Sequence, residues 1–180
     1  HLEQLYTGQA GRDAAAVQTS PDFHQWQEGL RAKLVHLLGW ENRIPAAGPA
    51  EQTAVYQREG YREERITLSA DEGVQIPLAV LVPEGQAPFK TILVFHGHEP
   101  GMDYVLGHYP DEAIRQANLA RDNNYAQVLA QAGYQVCVVE QRGLGQRLTA
   151  QAGNGSFPCS CRHLAFSYLM QGRTLLGERC

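Results

Sequence analysis

The residues able to do chemistry collect in three places. One is a turn after an apolar run, Leu93-Val94-Phe95-His96-Gly97-His98-Glu99-Pro100-Gly101. A second comes after another apolar run, Val138-Val139-Glu140-Gln141-Arg142-Gly143-Leu144-Gly145, and a third is Cys159-x-Cys161-x-His163. The cysteine motif offers metal ligands, but a closed zinc site needs four and no second cluster stands within range, so loop packing is expected. A Cys159–Cys161 disulfide would demand strained geometry. His98, Glu99, Asp103 and His108 could also be drawn as a metal cluster, yet polar residues crowd any surface loop; no metal and no cofactor is expected. Arg142-Gly143-Leu144-Gly145 lacks the third glycine of a dinucleotide turn and reads as structural, with Arg142 contacting backbone or carboxylate. A serine presented at the sheet edge by a strained strand-to-helix elbow needs the frame Gly-x-Ser-x-Gly. None of Ser20, Ser69, Ser156, Ser160 or Ser167 has it, so no catalytic residue is assigned.

Both glycine turns must be carried by strands. Tyr61 to Leu68 and Val74 to Val82 flank a turn at Asp71-Glu72-Gly73 and predict an antiparallel hairpin, with Pro77 marking an irregular or edge-like point. Thr91–Phe95 is apolar throughout, as a strand covered on both faces is. After a long loop, Asp122 should cap a helix carrying Tyr125, Val128, Leu129 and Ala132 and ending at Gly133, and Tyr134–Glu140 supplies the next strand. The unit predicts a right-handed crossover between parallel strands. A final helix runs from about Arg162, with Leu164, Tyr168, Leu169, Leu175 and Leu176 near one face. Ahead of the sheet, Ser20-Pro21-Asp22 gives a cap, a first-turn proline and an acid. Phe23, Trp26, Leu30, Leu34, Leu37 and Leu38 form an apolar stripe that should be buried, and Gly39 a C-terminal stop. Trp26 therefore reads as core rather than as a sugar platform. Residues 41–54 have no period and read as a linker. The expected division is a helical extension and linker over 1–54 and an α/β domain over 55–180.

The two glycine turns together resemble the α/β-hydrolase fold. With the Phe23-x-x-Trp26-Gln27 helix and the late Gly172-Arg173-Thr174-Leu175-Leu176-Gly177-Glu178-Arg179, they look like the branch containing acetyl xylan esterase-like and dienelactone hydrolase-like enzymes. The resemblance runs roughly from Phe23 to Cys180. It implies that Gly97 and His98 belong to the oxyanion-hole loop, whose backbone N–H stabilises the charge developing on the carbonyl oxygen. It also implies that His96 braces this loop, because the fold takes its catalytic histidine from a later segment. Glu99 stands where many relatives have a small residue. In that fold the strand after the crossover inserts between the hairpin and Thr91–Phe95, and the next strand carries the nucleophile. Serine, acid and histidine would then all lie beyond Cys180, the chain would be an incomplete domain, and Thr91–Phe95 would be an exposed edge.

Composition narrows the classes further. The chain has 180 residues, net charge −4, 43% hydrophobic and 19% charged residues, near globular averages. Interspersed charges give no footprint for nucleic acid, and no apolar run is long enough for a membrane helix. Four cysteines are too few and too scattered for a disulfide scaffold, which favours a reducing cytosol. Asn154-Gly155-Ser156 fits a glycosylation sequon that arises often by chance. Three functions compete: a serine carboxylester hydrolase with a small-molecule ester substrate in the complete protein, a peptidase of the same fold, and a non-catalytic binding or assembly module.

Overall fold

The computed structural model describes residues 19–40, 48–70, 73–149 and 158–179. Asp71 and Glu72 of the expected turn, the Asn154–Ser156 tripeptide and Cys180 lie outside them.

Helix α1, Ser20–Leu38, begins at its expected cap, one residue early. Thr19 takes that role, its hydroxyl accepting the Asp22 N–H at 3.3 Å while the Asp22 carboxylate accepts the Thr19 N–H at 3.1 Å. This is a reciprocal capping box. Gly39 ends the helix at φ 73°, ψ 36°, a left-handed position that costs glycine nothing. The apolar stripe is not buried as expected. No α1 residue is buried, Leu34 and Leu37 are 52% and 59% exposed, and Trp26 is only half-buried.

Five strands form one sheet in the order β1-β2-β3-β5-β4. Their ranges are β1 Ala50–Arg58, β2 Tyr61–Ser69, β3 Gln75–Pro83, β4 Thr91–Phe95 and β5 Gln135–Val139. Strand β1 starts inside the stretch read as linker. Eight of its nine residues are exposed, so pairing with β2 rather than burial holds it, and hydrophobic period could not reveal it. Strands β2 and β3 pair antiparallel in unbroken register from Tyr61↔Pro83 to Ser69↔Gln75. Pro77 therefore sits in regular register with β2, without the expected irregularity, at an edge-like point of β3 on its β5 side. It escapes conflict because pairing with β5 begins only at Leu78, and its carbonyl accepts the Glu140 N–H at 3.0 Å.

Strands β4 and β5 are parallel, Thr91↔Gln135 to Phe95↔Val139. The crossover holds three helices where one was expected: α2 Met102–Val105, α3 Glu112–Leu119 and α4 Tyr125–Gln131. Asp111 caps α3, accepting the Ile114 N–H at 2.8 Å. Asn124, not Asp122, precedes α4; Asp122 has φ 53° in the turn before it. Met102, Val105 and Leu106 pack with Ala126 and Ala130 of α4 on Leu81, Val94, Val136 and Val138, forming the core on one face. Strand β4 lies at the edge, as expected once β5 inserts between it and the hairpin, and Leu93 and Phe95 are 57% and 51% exposed. The last helix is two, α5 Cys161–Leu169 and α6 Leu175–Arg179, separated by Gly172 at φ 69°. Trp40 Nε1 donates to the Gly177 carbonyl at 2.7 Å and pins the end of α1 to α6.

Candidate functional site

Because β4 and β5 are parallel and in register, their carboxyl ends open on the same edge of the sheet, where open α/β sheets place ligands. One side chain knits the two turns there. Glu140, 2% exposed, receives the Met102 N–H on Oε1 at 3.2 Å and the Gln146 N–H on Oε2 at 3.3 Å. Its Oε1 also lies 2.8 Å from His96 Nε2. The Gln141 N lies 3.0 Å from the same ring nitrogen, and His96 Nδ1 lies 3.0 Å from the Gly97 carbonyl. A buried carboxylate satisfied this fully holds its surroundings in one arrangement. Gly145, at φ 47°, packs directly on it, and a Cβ there would overlap the carboxyl group. Sequence reasoning did not single out Glu140. An acid closing an apolar strand normally faces water; the signal lay in its position between two glycine turns.

Gly97 and His98 are exposed at the rim, and a Cβ at Gly97 would meet nothing within 4 Å. The Glu99 N–H is committed to the Gly97 carbonyl at 2.9 Å. Arg142 faces the last helices: one guanidinium nitrogen donates to the Tyr168 hydroxyl at 2.5 Å and lies 3.6 Å from Glu178, while its carbonyl accepts from Arg179 Nε at 3.0 Å. Burial and the charge of Arg142 push the Arg147 guanidinium down to about 10, and it donates to the Glu140 carbonyl at 3.1 Å.

A cleft of about 490 Å³ opens beside this edge, lined among others by Gly101, Tyr104, His108, Tyr109 and Glu140. Its tyrosines meet edge to face at 5.2 Å. Behind it stands a charged cluster centred on Glu63, whose side chain is fully buried. Arg65 Nε reaches it at 2.6 Å, His108 Nε2 at 2.8 Å and Arg58 Nε at 3.0 Å, and Arg65 also pairs with Asp103 at 2.8 Å. Burial alone would raise the Glu63 pKa; the His108 hydrogen bond and the Arg65 and His108 charges outweigh it and hold it at about 2.

The four residues drawn as a metal cluster are not brought together, since Asp103 and His108 serve the Glu63 network. His163 does not join the cysteines. His98 does: among the described residues, one group of three His, Cys, Asp or Glu side chains has its ligand atoms all within 4.8 Å of one another, and it is His98, Cys159 and Cys161.

No protein-family model matches this chain, and no curated protein does. Solved structures do. A candidate acetyl xylan esterase from Bacteroides fragilis NCTC 9343 superposes at a TM-score of 0.80 and 19% identity, over 99% of this chain and 46% of that one. Methylesterase BT1017 superposes at a TM-score of 0.56 and 17% identity, over 96% of this chain and 36% of that one. The chain thus spans less than half the length of either, and its fold, a helix followed by a mixed five-stranded α/β sheet, is shared with part of these esterase structures.

Proposed function

We propose that this chain is the N-terminal half of a serine carboxylester hydrolase acting on acetyl or similar small acyl esters, with Gly97 and His98 in its oxyanion loop. The observation that carries the reading is the superposition of nearly the whole chain on less than half of a candidate acetyl xylan esterase. Also in support are the edge position of β4 and the shared edge on which both glycine turns open. The division near residue 54 falls inside β1, so in this reading the hydrolase domain begins with that strand at Ala50.

Chemically, a serine supplied beyond Cys180 attacks the ester carbon and passes its proton to a histidine. The carbonyl oxygen takes up the electron pair as an oxyanion, which the rim amides stabilise; the alcohol leaves with the histidine's proton and water releases the acid. His96 and Glu140 are positioning residues here, setting the rim through the Gly97 carbonyl and the second turn. Arg142 anchors that second turn to α5 and α6.

Reading the gene past the Cys180 codon and assaying a chromogenic acetate ester tests this. The 180-residue chain should give no turnover, and an extended form should give turnover abolished by a serine-directed inhibitor. An extended form without Gly-x-Ser-x-Gly would overturn the reading in favour of a binding module, and one that cleaves peptides but not esters in favour of a peptidase. A stop after Cys180 with a soluble monomer would remove the half-domain premise.

A further inference from the structure

The grouping of His98 with Cys159 and Cys161 joins segments about sixty residues apart in sequence, and each is anchored from behind. Ser160, between the cysteines, is 1% exposed. Its Oγ accepts the Thr149 N–H at 2.8 Å, and its own N–H donates to the Gly143 carbonyl at 2.9 Å. The backbone that presents both sulfurs is thereby fixed to the second glycine turn. His98 stands two residues from His96, whose ring is locked against Glu140. An Arg179 guanidinium nitrogen lies 3.1 Å from Cys161 Sγ, and the same guanidinium donates to the Arg142 carbonyl. That is the position of an outer partner donating to a ligating thiolate. His98 is exposed and both cysteines are half-buried, so the group is reachable from solvent.

We propose that His98, Cys159 and Cys161 bind one zinc ion at the rim of the glycine turns. Two sulfurs and one imidazole suit a borderline-soft divalent cation. Zinc bond lengths of about 2.3 Å to sulfur and about 2.0 Å to nitrogen place tetrahedral ligand atoms roughly 3.5–3.8 Å apart. Ligand atoms already within 4.8 Å of one another reach that by small side-chain rotations. Three protein ligands leave the fourth position for water. Each thiol gives its proton to solvent on binding, so affinity falls as pH is lowered. The site uses the His98 side chain, whereas the oxyanion role uses its backbone, and the proposal stands independently of ester hydrolysis.

The test is zinc titration of the reduced, chelator-stripped full-length gene product against a chromogenic chelator, with cobalt substitution as a spectroscopic readout. One equivalent should bind, with a thiolate-to-cobalt charge-transfer band. His98→Ala, Cys159→Ser and Cys161→Ser should each weaken binding about tenfold or more. Cys180→Ser should leave it unchanged. His98→Ala alters an exposed side chain, so unchanged circular dichroism separates ligand loss from misfolding. Reduced protein that takes up no zinc, or equal affinity in the Cys159→Ser, Cys161→Ser double variant, overturns the proposal.

Discussion

At the scale of single residues, the buried Glu140 and Glu63 do different work from one chemistry. Glu140 is surrounded by N–H donors and an imidazole, whereas Glu63 is surrounded by two guanidinium groups and His108. Glu63 has the sharper pH consequence. Its folded pKa of about 2 lies below the ordinary value of 4.5. A depressed carboxylate contributes stability that is fully present above its unfolded pKa and is lost as pH falls through the folded one. Glu63→Gln should therefore destabilise the fold near neutral pH by roughly 3–5 kcal/mol, the range for breaking a buried charged network. The deficit should shrink between about pH 4.5 and 2, as the wild-type carboxylate protonates and becomes a neutral group too. Urea unfolding midpoints of both proteins across that range check this; a deficit independent of pH would sink it.

Among the elements, legibility depended on how each one is stabilised. Strands β4 and β5 are short apolar runs closed by glycine turns and could be read directly, as could α1 from Pro21, Asp22 and Gly39, although its N-cap is Thr19 rather than Ser20. Strand β1 and helix α3 have no buried residue among them; β1 is held by strand pairing and leaves no apolar period, and α3 is a short helix held by the Asp111 cap. The site was half legible for the same reason. Gly97, His98 and Arg142 sit in visible turns, while the partnership of His96 with Glu140 and of His98 with the cysteines exists only after β5 inserts beside β4. Strand β4 also carries a liability. An exposed apolar edge templates association, and Leu93 and Phe95 present one here. The 180-residue chain alone should self-associate. Leu93→Lys should shift it towards monomer in sedimentation velocity, with stability changed by about 0.5 kcal/mol or less, as for an exposed position. Association unaffected by that charge would place the sticky surface elsewhere.

For the whole molecule, the sheet is asymmetric. Its β1–β2–β3 side is an antiparallel meander, and pairing to β5 then leads to a parallel half that ends openly at β4. The core lies under β3, β5 and the buried face of β4, so global stability rests there, while the outer side of β4 is only as stable as a neighbouring strand makes it. Amide exchange separates these. In the 180-residue chain, amides of β2, β3 and β5 should be protected towards the global limit, whereas those β4 amides not directed at β5 should exchange through local opening or directly with solvent. If a longer product adds a strand beside β4, the same amides within 91–95 should become protected while those of β2 barely change, because β2 lies three strands from the open edge. Equal exchange of the β4 amides in both forms would mean that no strand pairs there. The half-sheet would then be a finished architecture, and the glycine turns would need a role other than half of an ester-cleaving site.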